Sequence, residues 1–259
     1  MPAKVAGLRV LPALILAPAG DGSPPSTASH RARPSVGGAP GAHRAGSLLR
    51  LRNDQVVTLI YVVQHGQKER HAGDPGLTAL GRIQAAVTAQ WLQTRGLKAL
   101  YSSPLRRAQE TAASIAVVTG LPVQLDDRLR ERWNWDGRQS LDDFLADWNR
   151  SSRDRDFELP NGESSRSAGK RMREFLASLA REPGPFGAVS HGGVIVDLLR
   201  TLLGDDVLSP RLLQEGVPDC AITMIDDLHV VAVATTGHLH DAVAQRPGAV
   251  HEVFPDHAP

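Results

Sequence analysis

The sequence predicts an α/β protein, a three-layer α/β/α sandwich built on a mostly parallel central sheet. Three observations carry this expectation. Short apolar and β-branched runs alternate along the chain with longer stretches of helical period, the mark of strand, crossover and strand. Two of those runs stop at a histidine followed by glycine, at Gln64-His65-Gly66 and at Ser190-His191-Gly192-Gly193. The carboxyl ends of strands are where open α/β sheets bind ligands. Finally, 259 residues are enough to bury a substantial core.

The first strand is the run that begins at Leu59 and stops at Gln64. A helix follows: Leu80, Ile83, Val87 and Trp91 share one face, Thr78 is placed to cap its start, and Gly96 to end it. Ala99 to Ser102 is a short strand. Ser103-Pro104 is read as N-cap and first-turn proline of the next helix, with Leu105, Ala108, Ala112 and Ile115 as its buried stripe. Val123 to Leu125 is a third strand. Leu141 to Trp148, and then Met172, Phe175, Leu176 and Leu179, supply further helical faces. Strand Phe186 to Ser190 leads into a helix carrying Val194, Ile195, Leu198, Leu199 and Leu202, and Ala221 to Ile225 with Val230 to Ala234 close the sheet.

The flanks differ from this pattern. Residues 1–54 hold a Pro, Gly, Ala, Ser and Arg-rich stretch too poor in large apolar side chains to offset the entropy of ordering, so a disordered extension is expected. Leu8 to Ala17, with Lys4 and Arg9 near its start, has the outline of a secretion signal. Its shortness, together with Pro12 and Pro18, favours a dispensable extension on a cytoplasmic protein, or a start placed upstream of the real one. The globular domain is expected over 55–245, and 246–259 as a flexible tail. A net charge of +1 recruits neither nucleic acid nor membrane. One cysteine, Cys220, excludes an intramolecular disulfide framework and a Cys-rich zinc site. No apolar run approaches the roughly 18 residues that span a bilayer.

A lone histidine at a strand end is most often structural, but two in matching contexts point to a site. Five segments in order then carry a resemblance: Q-H-G at 64–66, L-T-A-L-G-R-I-Q-A at 77–85, S-S-P-L-R-R-A-Q-E-T-A at 102–112, L-R-E-R at 129–132 and V-S-H-G-G at 189–193. Together they resemble the histidine phosphatase superfamily, also called phosphoglycerate mutase-like. The resemblance implies phosphoryl transfer through a phosphohistidine, without a metal or other cofactor, on a small-molecule phosphomonoester.

By that resemblance, His65 is the nucleophile, His191 the second histidine that donates hydrogen bonds to the phosphoryl oxygens, and Glu131 the general acid and base. Arg107 is the bidentate phosphate clamp, whereas Arg106 reads as a surface residue. Gly66 is read as allowing close backbone approach to the phosphate, and Gly192 and Gly193 as helix-start N–H donors. Read without the family, Glu131 is a surface carboxylate paired with Arg130 or Arg132. Trp133 and Trp135 are read as packing the acid's loop.

The chain departs from the family at position 64, where glutamine stands in place of the motif's arginine. This exchanges a fixed charge for neutral hydrogen bonding. Lys68 either supplies the missing charge or faces solvent. Asp219, where relatives often carry an amide, is read as structural. His238-Leu239-His240 has the spacing of a metal-ligand pair on a strand face, but no further ligand accompanies it, so no metal is expected. Three functions follow: a phosphomonoester hydrolase, favoured; a cofactor-dependent phosphoglycerate mutase-type phosphotransferase, against which stands the short segment of roughly 60 residues between acid and second histidine; and a catalytically weak phosphate-ligand binding or regulatory protein, which Gln64 makes credible.

Overall fold

The computed structural model describes residues 58–180 and 182–244. The expected extension 1–54 and tail 246–259 lie outside the described residues. Six strands form one sheet: β1 (Leu59–Gln64), β2 (Ala99–Ser102), β3 (Val123–Leu125), β4 (Phe186–Ser190), β5 (Ile222–Asp226) and β6 (His229–Thr235), in the order β3-β2-β4-β1-β5-β6. The first three neighbour pairs are parallel, whereas β5 pairs antiparallel with both β1 and β6. The mostly parallel α/β sandwich expected from the sequence is therefore the fold.

A parallel strand covered on both faces must be apolar on both, and β1 shows why its run is continuous. Ile60 and Val62 point to one layer, with Met172, Phe175 and Leu176 of α4 (Ser165–Leu179) and Ile195, Leu198 and Leu199 of α5 (Gly192–Leu203). Tyr61 and Val63 point to the other, with Ala89 and Leu92 of α1 (Ala79–Gln93) and Ala108, Ala112 and Ile115 of α2 (Arg106–Thr119). Among the described residues no helix is long and apolar enough to cross a membrane.

Three local expectations are corrected. Thr78 does cap α1, its side chain accepting from the Gly81 N–H, but the buried face is Gly81, Ala85, Thr88, Ala89 and Leu92. Ile83 is exposed, and Leu80, Val87 and Trp91 only half-buried. Small residues let α1 approach closely, and this outweighs the larger apolar stripe. The second helix begins at Arg106, with Leu105 as N-cap and no side-chain cap; Ser103 Oγ accepts from the Leu105 N–H at 3.2 Å, just ahead of the helix, and also bonds to His191. His238 and His240 lie on the helix α7 (Gly237–Ala244), not on a strand, and His238 Nε2 shares a 2.9 Å hydrogen bond with Thr88 Oγ1.

Gly66 is also placed differently from the expectation. A Cβ there would lie 2.5 Å from the Gly81 carbonyl oxygen, and one on Gly81 would lie 2.1 Å from the Gln67 carbonyl oxygen. The two glycines let the loop after β1 cross directly over the start of α1. What a Cβ at Gly66 meets is therefore helix backbone.

Candidate functional site

Strand register assembles the site. Gln64 pairs with Ser190 across β1 and β4, so His65 and His191, one residue further along each strand, emerge side by side with ring centroids 5.1 Å apart. On the other side of β4, Ser102 of β2 pairs with Val189, which brings Ser103 beside His191. His191 Nε2 and Ser103 Oγ share a 2.7 Å hydrogen bond.

The His65 ring is fixed in one tautomer. Its Nδ1 lies 2.8 Å from the Gly66 carbonyl oxygen, which can only accept, so Nδ1 carries the proton. The lone pair is then on Nε2, and Arg107 Nε–H donates to it at 3.1 Å. Burial first, and then the Arg107 charge, pushes the His65 pKa down to about 3. The same two causes hold His191 well below the usual histidine range. Both imidazoles are neutral at pH 7. His191 Nδ1 is buried with no hydrogen-bond partner, as is Gln64 Oε1.

Arg107 is 3% exposed. As the second residue of α2, it is aimed by Asn134, whose Oδ1 accepts from Nη1 at 3.2 Å, and by Asp74 at 3.7 Å. Asn134 in turn donates to the Gly73 carbonyl. Arg106, by contrast, is exposed and pairs with Glu110 along the helix. Lys68 is half-buried, and its pKa is lowered by burial and by Arg107 and Arg70, against the pull of Asp219.

Glu131 is not the surface carboxylate of the family-free reading. Its Oε1 accepts from the Arg132 backbone N–H at 2.9 Å, and its Oε2 from the Gly193 N–H at 3.0 Å. The Gly193 N–H expected to serve as an anion donor thus holds the carboxylate instead. The loop that carries Glu131 is tied at every step. The Ser190 hydroxyl donates to Leu129 O at 2.8 Å, and Arg171 of α4 donates to the carbonyls of Arg128 and Arg130. The Arg132 guanidinium reaches both oxygens of Asp197 at 2.9 Å and stacks 3.9 Å over the ring of Trp148. Asp197 also accepts from the Ser165 hydroxyl, and burial raises its pKa to about 6 against the Arg132 charge. Sequence reasoning missed Ser103, Asn134 and the Arg132–Asp197 pair. Ser103 lay inside the S-S-P segment but was read as a helix cap. Asn134 and Asp197 carry no local signal.

These groups open into one cavity of about 810 Å³, lined by Gln64, His65, Lys68, Arg107, Glu131, Gly192 and Gly193 at its catalytic end. Asp219, read as structural, lies in its wall. So do Trp133, Trp135 and the apolar face of α3 (Leu141–Arg153), and Trp133 packs 4.4 Å from Phe144. Among the described residues no three His, Cys, Asp or Glu side chains gather as a metal-holding group, the His238 and His240 pair included.

The model of the histidine phosphatase superfamily, branch 1, matches residues 60–228. The protein described as "Probable phosphoglycerate mutase GpmB" of Serratia proteamaculans is 33% identical over 182 residues, spanning 64% of this chain and 84% of that one. The glucosyl-3-phosphoglycerate phosphatase of Mycolicibacterium vanbaalenii is 34% identical over 169 residues, spanning 57% and 75%. The solved native structure of a mycobacterial glucosyl-3-phosphoglycerate phosphatase superposes with a TM-score of 0.57 at 27% identity, over 70% of this chain and 100% of that one. A phosphoserine phosphatase of Entamoeba histolytica, solved with 3-phosphoglyceric acid, shares the fold with a TM-score of 0.56 at 24% identity, over 70% and 99%.

Proposed function

The chain belongs to the histidine phosphatase superfamily, branch 1, and from that premise we propose that it is a phosphomonoester hydrolase working through a phosphohistidine on His65. The observation that carries the reading is the state of His65. A neutral ring is locked by Gly66 with its lone pair on Nε2, directed at the Arg107 guanidinium and beside His191. That is a nucleophile already oriented, and unprotonated at Nε2, for attack.

In the first step Nε2 attacks phosphorus, the bond from phosphorus to the leaving oxygen breaks, and Glu131 passes a proton to that oxygen. In the second, Glu131 takes a proton from water as its oxygen attacks the phosphohistidine, releasing inorganic phosphate and restoring His65. Arg107 binds the phosphoryl oxygens. The Ser103 hydroxyl donates to His191 Nε2, leaving an Nδ1–H for the developing charge. Gln64, Lys68 and the Gly192 N–H complete the cradle, and no metal takes part. Transfer to a second substrate hydroxyl, as in a mutase, has to hold a second anionic group. Beyond the cradle the cavity lining holds His71, the exposed Arg153 and Arg132, the last paired with Asp197, while Glu215 is paired with Arg211 and Asp219 adds negative charge.

Rapid quenching with labelled p-nitrophenyl phosphate, in excess chelator, is expected to trap an acid-labile, base-stable phosphoryl group on the wild type and none on His65→Asn. Normal turnover in His65→Asn refutes the nucleophile. Loss of activity in chelator, restored by zinc or magnesium, refutes the metal-free reading. Isomerisation of phosphoglycerate faster than hydrolysis refutes the choice of water as acceptor.

A further inference from the structure

Helix α3 is built like a core helix but is not in the core. Ser140 caps it, accepting from the Asp143 N–H, and Ser151 is its one buried residue. Leu141 and Leu145 remain 47% and 45% exposed, and with Phe144 and Trp148 they line the cavity that begins at His65. Trp133 stacks on Phe144 at 4.4 Å, and Phe144 lies 6.0 Å from Trp148. The aromatic rings are thus fixed by one another, while the two leucines are left open to the cavity. An apolar helix face at a solvent boundary is costly unless something covers it.

The charges of the cavity restrict what can cover it. Arg107, beside His65, serves the phosphoryl group, Arg132 is paired with Asp197, and Arg153, at the far end of α3, is exposed. Lys68 lines the same end of the cavity as Gln64, His65 and Arg107 and is assigned to the phosphoryl group in the proposed cradle. Of the lining carboxylates beyond the cradle, Glu215 is paired with Arg211, and Asp219 adds negative charge that disfavours a second anion. We infer that this enzyme selects phosphomonoesters whose leaving group is an extended apolar or aryl alcohol, which lies along Leu141, Phe144, Leu145 and Trp148. The inference rests on the hydrolase reading and adds the substrate class to it.

Linear alkyl phosphates test it cleanly, because ethyl, butyl and hexyl phosphate share charge and leaving-group chemistry and differ only in apolar length. A fully buried methylene is worth about fourfold. Half-burial gives about twofold per carbon, and so about sixteenfold in kcat/KM from ethyl to hexyl phosphate. Leu141→Ser with Leu145→Ser, at exposed positions, is expected to flatten that rise to about threefold. Glycerol 3-phosphate, matched in charge and size to the short esters, is expected to be the poorer substrate. Ethyl- and hexylphosphonate, which carry no cleavable ester, report binding alone by calorimetry, and hexylphosphonate should bind the tighter by a similar factor. A flat series, or glycerol 3-phosphate ahead of hexyl phosphate, overturns the apolar leaving group and leaves the hydrolase reading intact. Length-dependent phosphonate binding without turnover of any ester overturns the hydrolase reading and leaves the apolar subsite in place.

Discussion

Asp197→Asn is the sharpest test of how the acid is held. Asp197 is 0% exposed and its partner Arg132 3% exposed. Two 2.9 Å hydrogen bonds join them. The substitution keeps the shape and removes the charge, leaving a guanidinium buried against Trp148 with only Ser152 Oγ as a further side-chain acceptor. Removing one partner of a buried ion pair costs about 3 to 5 kcal/mol. For a domain of this size that is a fall of about 6 to 20 °C in Tm. The measurement belongs at pH 7.5, above the Asp197 pKa of about 6, where the carboxylate is ionised. Because the Arg132 backbone N–H also holds Glu131 Oε1, kcat should fall with KM nearly unchanged. The double variant Arg132→Met with Asp197→Leu separates the two roles. Apolar replacement of a buried pair commonly restores stability, so Tm should recover while kcat stays low. A loss below about 1 kcal/mol in Asp197→Asn would refute the pair as a structural element. Full kcat in the stable double variant would refute it as the support of Glu131.

Two further outcomes follow from the buried imidazoles and from position 64. The folded-state pKa of His65, about 3, lies below its unfolded value of about 6.5, so its contribution is intact above pH 6.5 and is lost as pH falls toward 3. Between pH 7 and 5 the wild type should therefore lose about 2 kcal/mol more unfolding free energy than His65→Asn. Asp197, raised to about 6, works in the opposite sense but is common to both proteins and cancels; equal slopes in urea titrations would show that His65 titrates normally. Gln64→Arg, which exchanges a neutral hydrogen bond for a charge-assisted one, is expected to raise kcat/KM toward simple dianionic esters roughly tenfold. Lys68→Ala should be damaging alone and milder beside Gln64→Arg, and a folded but inactive Gln64→Arg would show that glutamine is itself required.

The sequence disclosed those parts of the molecule whose cause is local. The apolar run of β1 and its halt at Gln64-His65-Gly66 are consecutive residues, and so are Phe186 to Gly193. The Thr78 cap needs only Gly81, three residues on. What stayed hidden depends on distance in the chain or on fit in space. That β4 lies between β1 and β2 follows from distant pairings, Ile60 with Phe186 and Ala99 with Phe186. Arg132 finds Asp197 65 residues away. The buried face of α1 was misread because hydrophobicity favours Ile83, whereas close approach to the loop after β1 favours Gly81. Leu141 and Leu145 have the period of a core helix, and only the fold shows that their face is turned to a cavity.

Glutamine at position 64 and the apolar wall across from it are parts of one balance. Arg107 is already depressed by burial, and Lys68 by burial and by Arg107, so a third cation beside them adds repulsion that only a bound dianion relieves. Gln64 removes that repulsion and gives up charge-assisted binding of the phosphate. Its Oε1 stays buried without a partner, 3.2 Å from where a Cβ on Gly192 would stand. A weaker grip on the phosphoryl group means that binding energy has to come from the remainder of the substrate, where remote contacts can be used to lower the barrier at phosphorus. The wall of Leu141, Phe144, Leu145 and Trp148 is where this chain has apolar surface to provide it. On this argument the two features are coupled. Gln64→Arg should help short alkyl phosphates more than hexyl phosphate, since an ester already held by its tail gains less from a stronger hold on its head. An equal gain across the series would separate the glutamine from the wall and leave the departure at position 64 without this explanation.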